Sequence, residues 1–483
     1  IARRLFGTDP WGIRILEVAC WATVAPCFAR IVSRRGGDWR LGFAGGVLAT
    51  YIQVRTEYWH TAQPESFGAV CLIWALTIVT TRLDAPPTLR DARRWAIAGA
   101  LFATAGLLKP PLGGGFLLLL PVWFLERAKR LPEGERRWPL ASKLAAATLA
   151  GGAVPLLGTL AYFVVTGALP ELLDTMLRFA PQYTKLGTSP AQLPGNFVKG
   201  TRELLFYFSP MLSAGVLVAT PLVSSKTRRE IGVTSVLAVA FFPWAGIAIQ
   251  GKFFPYHYDG CLPFLCLFAA TVYAAAFQWL ARLRAPGVVT LALAGVLVFE
   301  LYDWGPFINP GSRLWDRVPL RITALLYPSK RPALKDAMTS EGDVRAWENR
   351  RLADWLRDET PPDESVYLWG FEPVVYLEAN RRPASRYVYD VPQRVPWSRQ
   401  ATCSVLEHDL AADPPSAVAV ERDDRFVDVT GDEKDSAESL DSCPWFHAWL
   451  DRDFALAWSS SKFDLYARRS LAVGRAEGAG DFR

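Results

Sequence analysis

Three short polar stretches of this sequence hold side chains that could do chemistry. They contain Glu57, His60, Gln63 and Glu65 within residues 55–65, Lys109 before the Pro/Gly run 110–115, and Lys252, His257 and Tyr258 within residues 250–260. Carboxylates and imidazoles can exchange protons, while Lys, His and Tyr can donate hydrogen bonds to a phosphate. Long apolar runs flank each stretch, so we expect this chemistry at a membrane surface.

Each stretch also has a structural interpretation. Glu65 follows Pro64 at the predicted start of a helix, where a carboxylate can act on a ligand or simply complement the helix dipole. Lys109 is either a phosphate contact or an interfacial anchor. Lys252 can snorkel within an aromatic belt, but a belt does not explain His257, so we favour ligand binding there. The Gly run lacks the Gly-Lys-Ser/Thr ending of a nucleotide-binding loop.

The composition indicates that membrane helices must position these residues. Of 483 residues, 51% are hydrophobic, 21% are charged and 19 are Trp, a residue suited to the membrane interface. We therefore do not expect a purely soluble enzyme, and disordered and collagen-like chains are excluded. About ten stretches are long enough to cross a bilayer, near residues 10–32, 38–54, 66–81, 93–108, 113–126, 144–166, 204–224, 231–249, 261–281 and 286–303.

The fold class predicted is an all-α polytopic membrane bundle followed by a small α/β domain. We place the transmembrane domain at residues 1–303, with outer loops at 55–65, 109–115, 167–203 and 250–260. Residues 304–483 form the predicted extracytoplasmic domain. The loop 167–203 contains a predicted amphipathic helix, which we interpret as a lid or wall over a donor groove rather than a plain connector.

The distribution of cations predicts the orientation. Alternate connections carry 19 of them, at Arg30, Arg34, Arg35, Arg40, Arg82, Arg90, Arg93, Arg94, Arg127, Lys129, Arg130, Arg136, Arg137, Lys143, Lys226, Arg228, Arg229, Arg282 and Arg284. The other connections carry 7, at Arg55, Lys109, Arg178, Lys185, Lys199, Arg202 and Lys252. The positive-inside rule places the first set in the cytoplasm and both chain ends outside.

The tail alternates predicted strands with predicted helices. Strands are expected at 365–369, 386–389, 416–421, 454–458 and 462–468, and helices near 342–357, 372–379, 398–411 and 444–451. Of the seven Cys, Cys403 and Cys443 fall in this tail and can pair if it faces an oxidising compartment. No Cys/His spacing predicts a metal site, and no cofactor is certain, although a divalent metal is left open.

Several segments together resemble a known family. The segments are LFGTDPWGIRIL at 5–16, HTAQPESFGAVCLIWAL at 60–76, ATAGLLKPP at 103–111, GKFFPYHYDGCLPFL at 251–265, VYLWGFEPVVYLEANRRPASRYVY at 366–389 and KFDLYARR at 462–469. They are similar to segments of GT-C membrane glycosyltransferases of the protein-mannosyltransferase-like group, the bacterial family 39 type. The resemblance covers most of the chain.

The resemblance implies an integral plasma-membrane enzyme that transfers a sugar, with inversion, from a polyprenyl-phosphate carrier to a lipid, glycan or protein acceptor on the outer face. The donor phosphate would lie near Lys109, Lys252 or His257. The first helix here looks like the second helix of the family, so the resemblance places the general base upstream of Ile1. Glu65 would match the second acidic position, and we predict it as the catalytic residue of this chain. From the residue types of the two outer loops, we predict Glu57, His60, Gln63 and Tyr258, with Lys109, Lys252 and His257, as substrate-binding residues.

Two other functions remain open. Many spans with charged outer loops also describe a transporter or flippase of a lipid-linked precursor, although we find no inverted repeats. A scaffold that has lost catalysis is the other alternative. No nucleic-acid partner is expected, because the basic residues fall in the connections between spans.

The charge asymmetry makes a first testable prediction. In a background in which the five Cys outside the tail are replaced, Ala62→Cys and Lys185→Cys should react with an impermeant thiol reagent added from outside. Gly134→Cys should stay unmodified until the membrane is opened, because it lies in a strongly basic connection. Strong outside labelling of position 134 would overturn the predicted topology.

Overall fold

A computed structural model describes residues 11–55, 62–131, 137–186, 189–207, 223–282 and 345–470, together with 314–331 and several positions between 287 and 337. The chain divides into two compact units. The helical unit contains residues 13–175 and the described residues from 189 to 316. The sheet unit contains residues 11–12, residues 176–186 and the described residues from 317 to 470. The predicted boundary at 303–304 lies outside the described residues.

The helical unit is built from helices that largely follow the predicted spans. They are α1 (Trp11–Trp21), α2 (Val24–Arg34), α3 (Trp39–Arg55), α4 (Pro64–Val79), α5 (Asp91–Leu108), α6 (Phe116–Ala128), α7 (Arg137–Val165), α8 (Leu169–Asp174), α10 (Leu193–Tyr207), α11 (Ser225–Ile231), α12 (Val233–Gln250) and α13 (Leu262–Arg282). Helix α9 (Ala180–Lys185) comes between α8 and α10 in the chain but belongs to the sheet unit. Short 3₁₀ turns at Pro110–Gly115 and Pro255–Tyr258 join α5 to α6 and α12 to α13. The predicted spans at 204–224 and 286–303 lie mostly outside the described residues.

Few of these helices are long enough to cross a bilayer. Among the described residues, Gly12–Arg34 and Arg137–Val165 are long and apolar enough. A third crossing is added if α11 and α12, which meet at 56°, count as one broken span. The exposed Leu149, Val154 and Leu157 on α7 fit a lipid-facing surface. The chain is therefore mostly helical with membrane-length helices, and the expected set of ten spans is not demonstrated by length.

Small residues let α5 and α7 approach closely. A Cβ atom at Gly99 would collide with the carbonyl oxygen of Thr148, and one at Gly151 would collide with that of Ala96. Small residues on facing helices are typical of membrane helix pairs, where close backbone packing replaces hydrophobic driving force. This contact fixes α5, which carries Lys109 immediately after its last residue.

A polar network joins the helix ends at one side of the unit. Arg35, after α2, donates two hydrogen bonds of 3.2 Å to Glu126 of α6. Thr234, at the start of α12, donates a 2.6 Å hydrogen bond to the same carboxylate. The predicted site residues Glu65, Lys109 and Lys252 lie at the opposite ends of their helices. The network thus ties α2, α6 and α12 at the end of the unit away from the candidate site.

The sheet unit is an α/β fold with a five-stranded mixed sheet. Its elements are α9 (Ala180–Lys185), α14 (Leu314–Leu326), α15 (Ala346–Glu359), β1 (Ser365–Trp369), α16 (Val374–Ala379), β2 (Arg382–Pro383), α17 (Val391–Arg394), α18 (Arg399–Ala412), β3 (Ala417–Glu421), α19 (Val427–Thr430), α20 (Phe446–Asp453), β4 (Phe454–Ser459) and β5 (Phe463–Arg468). The strand order is β2-β1-β3-β5-β4. Strands β2, β1 and β3 are parallel, and β5 and β4 are antiparallel to their neighbours.

Alternating residues of β1 fill two cores. Val366 and Leu368 pack with α15 and α16 on one face, whereas Tyr367 and Trp369 pack with α18 and α20 on the other. Every residue of β1 is buried, as expected for a parallel strand covered by helices on both faces. Most of the strands and helices predicted for the tail are thereby confirmed.

The predicted strand at 386–389 is wrong. The short strand β2 lies a few residues earlier, at Arg382–Pro383. The Ser385 hydroxyl donates a hydrogen bond to Asp409 of α18. The backbone nitrogen and the side chain of Arg386 donate to the same carboxylate. These bonds replace a strand ladder. Tyr387 then packs in the core on the α18 face of the sheet, while Val388 packs in the core on the other face.

Cys403 and Cys443 form a disulfide that joins α18 to the segment before α20. The bond closes a loop of sequence separation 40. Both residues are buried in the core on the Trp369 face of the sheet. The pairing left open from the sequence is therefore present.

Loss of this disulfide should destabilise the sheet unit. A crosslink over this separation lowers the entropy of the unfolded chain by an amount worth about 4 kcal/mol. In the Cys403→Ala/Cys443→Ala variant of the full chain, amide exchange of β1 and β3 should accelerate by roughly 1,000-fold. Cys20→Ala, a free thiol in the helical unit, is the matched control. Unchanged exchange in the double variant would contradict this prediction.

Candidate functional site

Glu65 occupies the first turn of α4 for a local reason. Gln63 has the extended backbone of an N-cap residue, and Pro64 at the first helical position fixes the start of the helix. Glu65 follows, where the exposed N–H groups of a helix terminus favour a carboxylate. Its side chain is only 1% exposed, so a charge there requires a partner.

Lys109 provides that partner. It ends α5 with an extended backbone, and its ammonium donates to Glu65 Oε1. The same ammonium lies 5.6 Å from the centre of the Tyr256 ring. Burial lowers the pKa of Lys109, while the carboxylates of Glu65 and Asp259 act in the opposite direction. One cation therefore connects α4, α5 and the turn before α13.

His257 lies beside this pair as a neutral imidazole. It is 5% exposed, and burial, reinforced by the positive charges of Lys109 and Lys252, lowers its pKa to about 2. Its Nδ1 has no hydrogen-bond partner among the described residues. At physiological pH it can donate one hydrogen bond and accept another, but it adds no charge.

The structure brings together some of the predicted site residues. Glu65, Lys109 and His257 are joined by contact or charge, and Lys252 acts electrostatically on His257. Lys252 and Gln63 are partly exposed, whereas Tyr258 is buried at 2%. Glu57 and His60 lie outside the described residues.

Glu17 is a buried acid that sequence reasoning missed. It lies on α1, within a predicted span, and is 5% exposed. Its Oε1 accepts 2.7 Å hydrogen bonds from the backbone nitrogen of Ala62 and the hydroxyl of Ser66. It therefore fixes the start of α4 next to Glu65. The available signal was a carboxylate inside an otherwise apolar run, which commonly marks a functional position.

The cluster offers hydrogen-bond donors suited to an anion. Lys109 and Lys252 place two ammonium groups beside the neutral His257, and the carboxylates of Glu65 and Asp259 act on Lys109. Within the described parts of the chain, no three His, Cys, Asp or Glu side chains are grouped as metal ligands would be. Ammonium groups beside a neutral imidazole and aromatic rings can hold a phosphate through charge-assisted hydrogen bonds.

Comparison with known proteins does not identify the chain, since no protein-family model and no curated protein matches it.

Breaking the Glu65–Lys109 pair should destabilise the helical unit. Lys109→Met leaves the buried carboxylate without its cation, which typically costs about 3–5 kcal/mol. The double variant Glu65→Gln/Lys109→Met should recover most of that loss, because no charge then stays buried. Thermal unfolding in detergent measures both. Lys226→Met, at a side chain that is 86% exposed, is the control, and a double variant no better than Lys109→Met would refute the pairing.

Proposed function

We propose that this protein is a multi-pass plasma-membrane glycosyltransferase that moves a sugar, with inversion, from a polyprenyl-phosphate carrier to an acceptor on the outer face. The sheet unit then belongs to the extracytoplasmic side. The observation that carries the proposal is the cluster of Glu65, Lys109 and His257, assembled where helices of a membrane-type unit end.

The reaction requires stabilisation of a leaving phosphate. The acceptor hydroxyl attacks the anomeric carbon, the bond from that carbon to the phosphate oxygen breaks, and the hydroxyl proton passes to a base. Negative charge grows on the departing polyprenyl phosphate. Lys252 and Lys109 would stabilise that charge, and a donor N–H of neutral His257 would orient a phosphate oxygen.

Glu65 fits a positioning role in this scheme. Its Oε1 is engaged by Lys109, and the carboxylate is almost completely buried. A base must reach the acceptor hydroxyl directly, whereas a positioning residue acts through its partner. Holding Lys109 in place makes the phosphate site ready before the donor binds, which reduces the reorganisation required during the reaction.

Loss of the Lys252 charge should cripple transfer. Lys252→Ala removes one electrostatic donor to the leaving phosphate, a change that costs about 100-fold or more in rate at comparable sites. The measurement is transfer of labelled sugar from a polyprenyl-phosphate donor by the full chain in membrane vesicles, with insertion checked in parallel. Lys226→Ala, at an exposed side chain, should transfer at the normal rate.

Two outcomes would contradict this assignment. Normal transfer by Lys252→Ala would reduce Lys252 to an interfacial anchor. No sugar transfer by the unchanged protein, combined with movement of the intact labelled lipid between leaflets, would favour a flippase.

A further inference from the structure

Two buried carboxylates of the sheet unit meet on one hydroxyl group. Ser436 Oγ lies 2.6 Å from Asp390 Oδ2 and 2.5 Å from Asp424 Oδ2. Asp390 and Ser436 are completely buried, and Asp424 is 2% exposed. The Ser436 backbone nitrogen also donates a 2.7 Å hydrogen bond to Asp424 Oδ1.

Counting hydrogens shows that one carboxyl is protonated. A serine hydroxyl has a single hydrogen, so it can donate to only one of the two oxygens. The other carboxylate oxygen and Ser436 Oγ would then be two acceptors at hydrogen-bond distance with no hydrogen between them. This arrangement needs a second hydrogen. That hydrogen must belong to Asp390 or Asp424.

The surrounding bonds place this proton on Asp390. Burial raises the pKa of Asp424 as well, but Asp424 also accepts the Ser436 N–H, which favours its ionised form. Asp390 Oδ1 has no hydrogen-bond partner among the described residues, a smaller cost for a neutral carboxyl than for a carboxylate. Burial raises the pKa of Asp390 to about 7, against the opposing effect of Arg394.

The buried charges balance only with this proton. Arg394 is completely buried, and its Nη1 lies 3.6 Å from Asp390 Oδ2 and donates a 3.1 Å hydrogen bond to Ser436 Oγ. A singly protonated pair carries one negative charge, which Arg394 neutralises. Two ionised carboxylates would leave one buried charge uncompensated, which is costly in a low-dielectric interior.

Among the described residues, the other titratable groups that face the pair add no second cation to it. Asp432 lies 3.4 Å from Arg394 and competes for it. Asp435 and Glu421 act on Asp424, and Tyr367 interacts with Asp390. Lys462 lies 3.0 Å from Glu421 and is engaged there.

The segments anchored by this pair form the surface on which residues 176–186, here called the strap, pack. The platform consists of residues 389–397 and 427–436. Phe179 of the strap contacts the Trp397 ring at a centroid distance of 6.0 Å. Leu186 packs against Gly431, so closely that a Cβ atom at Gly431 would lie 2.9 Å from Leu186 Cδ2. Tyr183 is half-buried and interacts with Tyr389 and Asp428.

We infer that Asp390 and Asp424 share one proton across the Ser436 hydroxyl, and that this proton holds together the platform on which the strap packs. Loss of the proton places two carboxylates against a single Arg394, the platform opens and the strap is released. The strap lies within the outer loop 167–203, so the pair acts as a pH-sensitive clasp on that loop. The inference stands independently of the proposed function.

The direction of the pH effect follows from proton binding. In an opened platform, water-exposed Asp has a pKa of about 4, whereas the closed pair keeps its proton up to a pKa of about 7. The closed form therefore binds more protons between these values, and rising pH favours opening. The stabilisation is complete below about pH 4, declines through this window and is lost above about pH 7.

Hydrogen exchange of the full chain in detergent measures this opening. Protection factors of the strap and of residues 390–394 should fall about tenfold for each pH unit between 5 and 7 and then level off. Asp390→Asn should abolish this slope, because its amide donates permanently to Ser436 Oγ without titrating. Asp363→Asn, an exposed carboxyl with no contact to the pair, should keep the slope of the unchanged protein.

A second measurement covers the case in which Asp390→Asn does not fold. The infrared spectrum of the unchanged protein should contain a buried carboxylic-acid band that titrates near pH 7 and persists in Glu421→Gln. Asp424→Asn should remove that band, since Arg394 then ionises Asp390. Protection that is independent of pH in the unchanged protein, an unaltered slope in Asp390→Asn, or the lack of such a band would each overturn the inference.

Discussion

The charge buried at Glu65 is the constraint on which the arrangement of the helical unit depends. A carboxylate that is 1% exposed is tolerated only with an opposite charge in contact. Lys109 satisfies this requirement from the end of α5, and its ammonium also reaches the Tyr256 ring before α13. The pairing therefore fixes three separate parts of the chain at one point. Burial keeps His257 neutral, and the positive charge of Lys109 reinforces this effect on its pKa.

Sequence patterns predicted the elements better than the contacts between them. Strand β1 was predicted with its observed ends and β3 to within one residue, because β-branched and aromatic residues stand between clear turns. The segment 386–389 has the same composition but bonds Asp409 instead of a strand, which only tertiary structure decides. Lys109 and Glu65 were each identified as candidates, yet their pairing across 44 positions leaves no local sequence signal.

Small residues and buried charges position different helices of the helical unit. Gly99 and Gly151 let α5 and α7 pack backbone to backbone, which fixes the direction of α5. Glu17 then anchors Ala62 and Ser66 at the start of α4. Close packing of α5 and the Glu17 hydrogen bonds therefore act together with the Glu65–Lys109 pair in holding α4 and α5 at the site.

Buried negative charge is compensated differently within each of the two units. In the helical unit, Glu65 takes an ammonium from a distant helix. In the sheet unit, Arg394 alone faces Asp390 and Asp424, while Lys462 is engaged by Glu421. A carboxylate pair with one cation can reach neutrality only by holding a proton. An ion pair reaches neutrality without an added proton, whereas a shared proton is released when the pH rises. The first arrangement therefore suits a permanent binding site and the second suits a reversible contact.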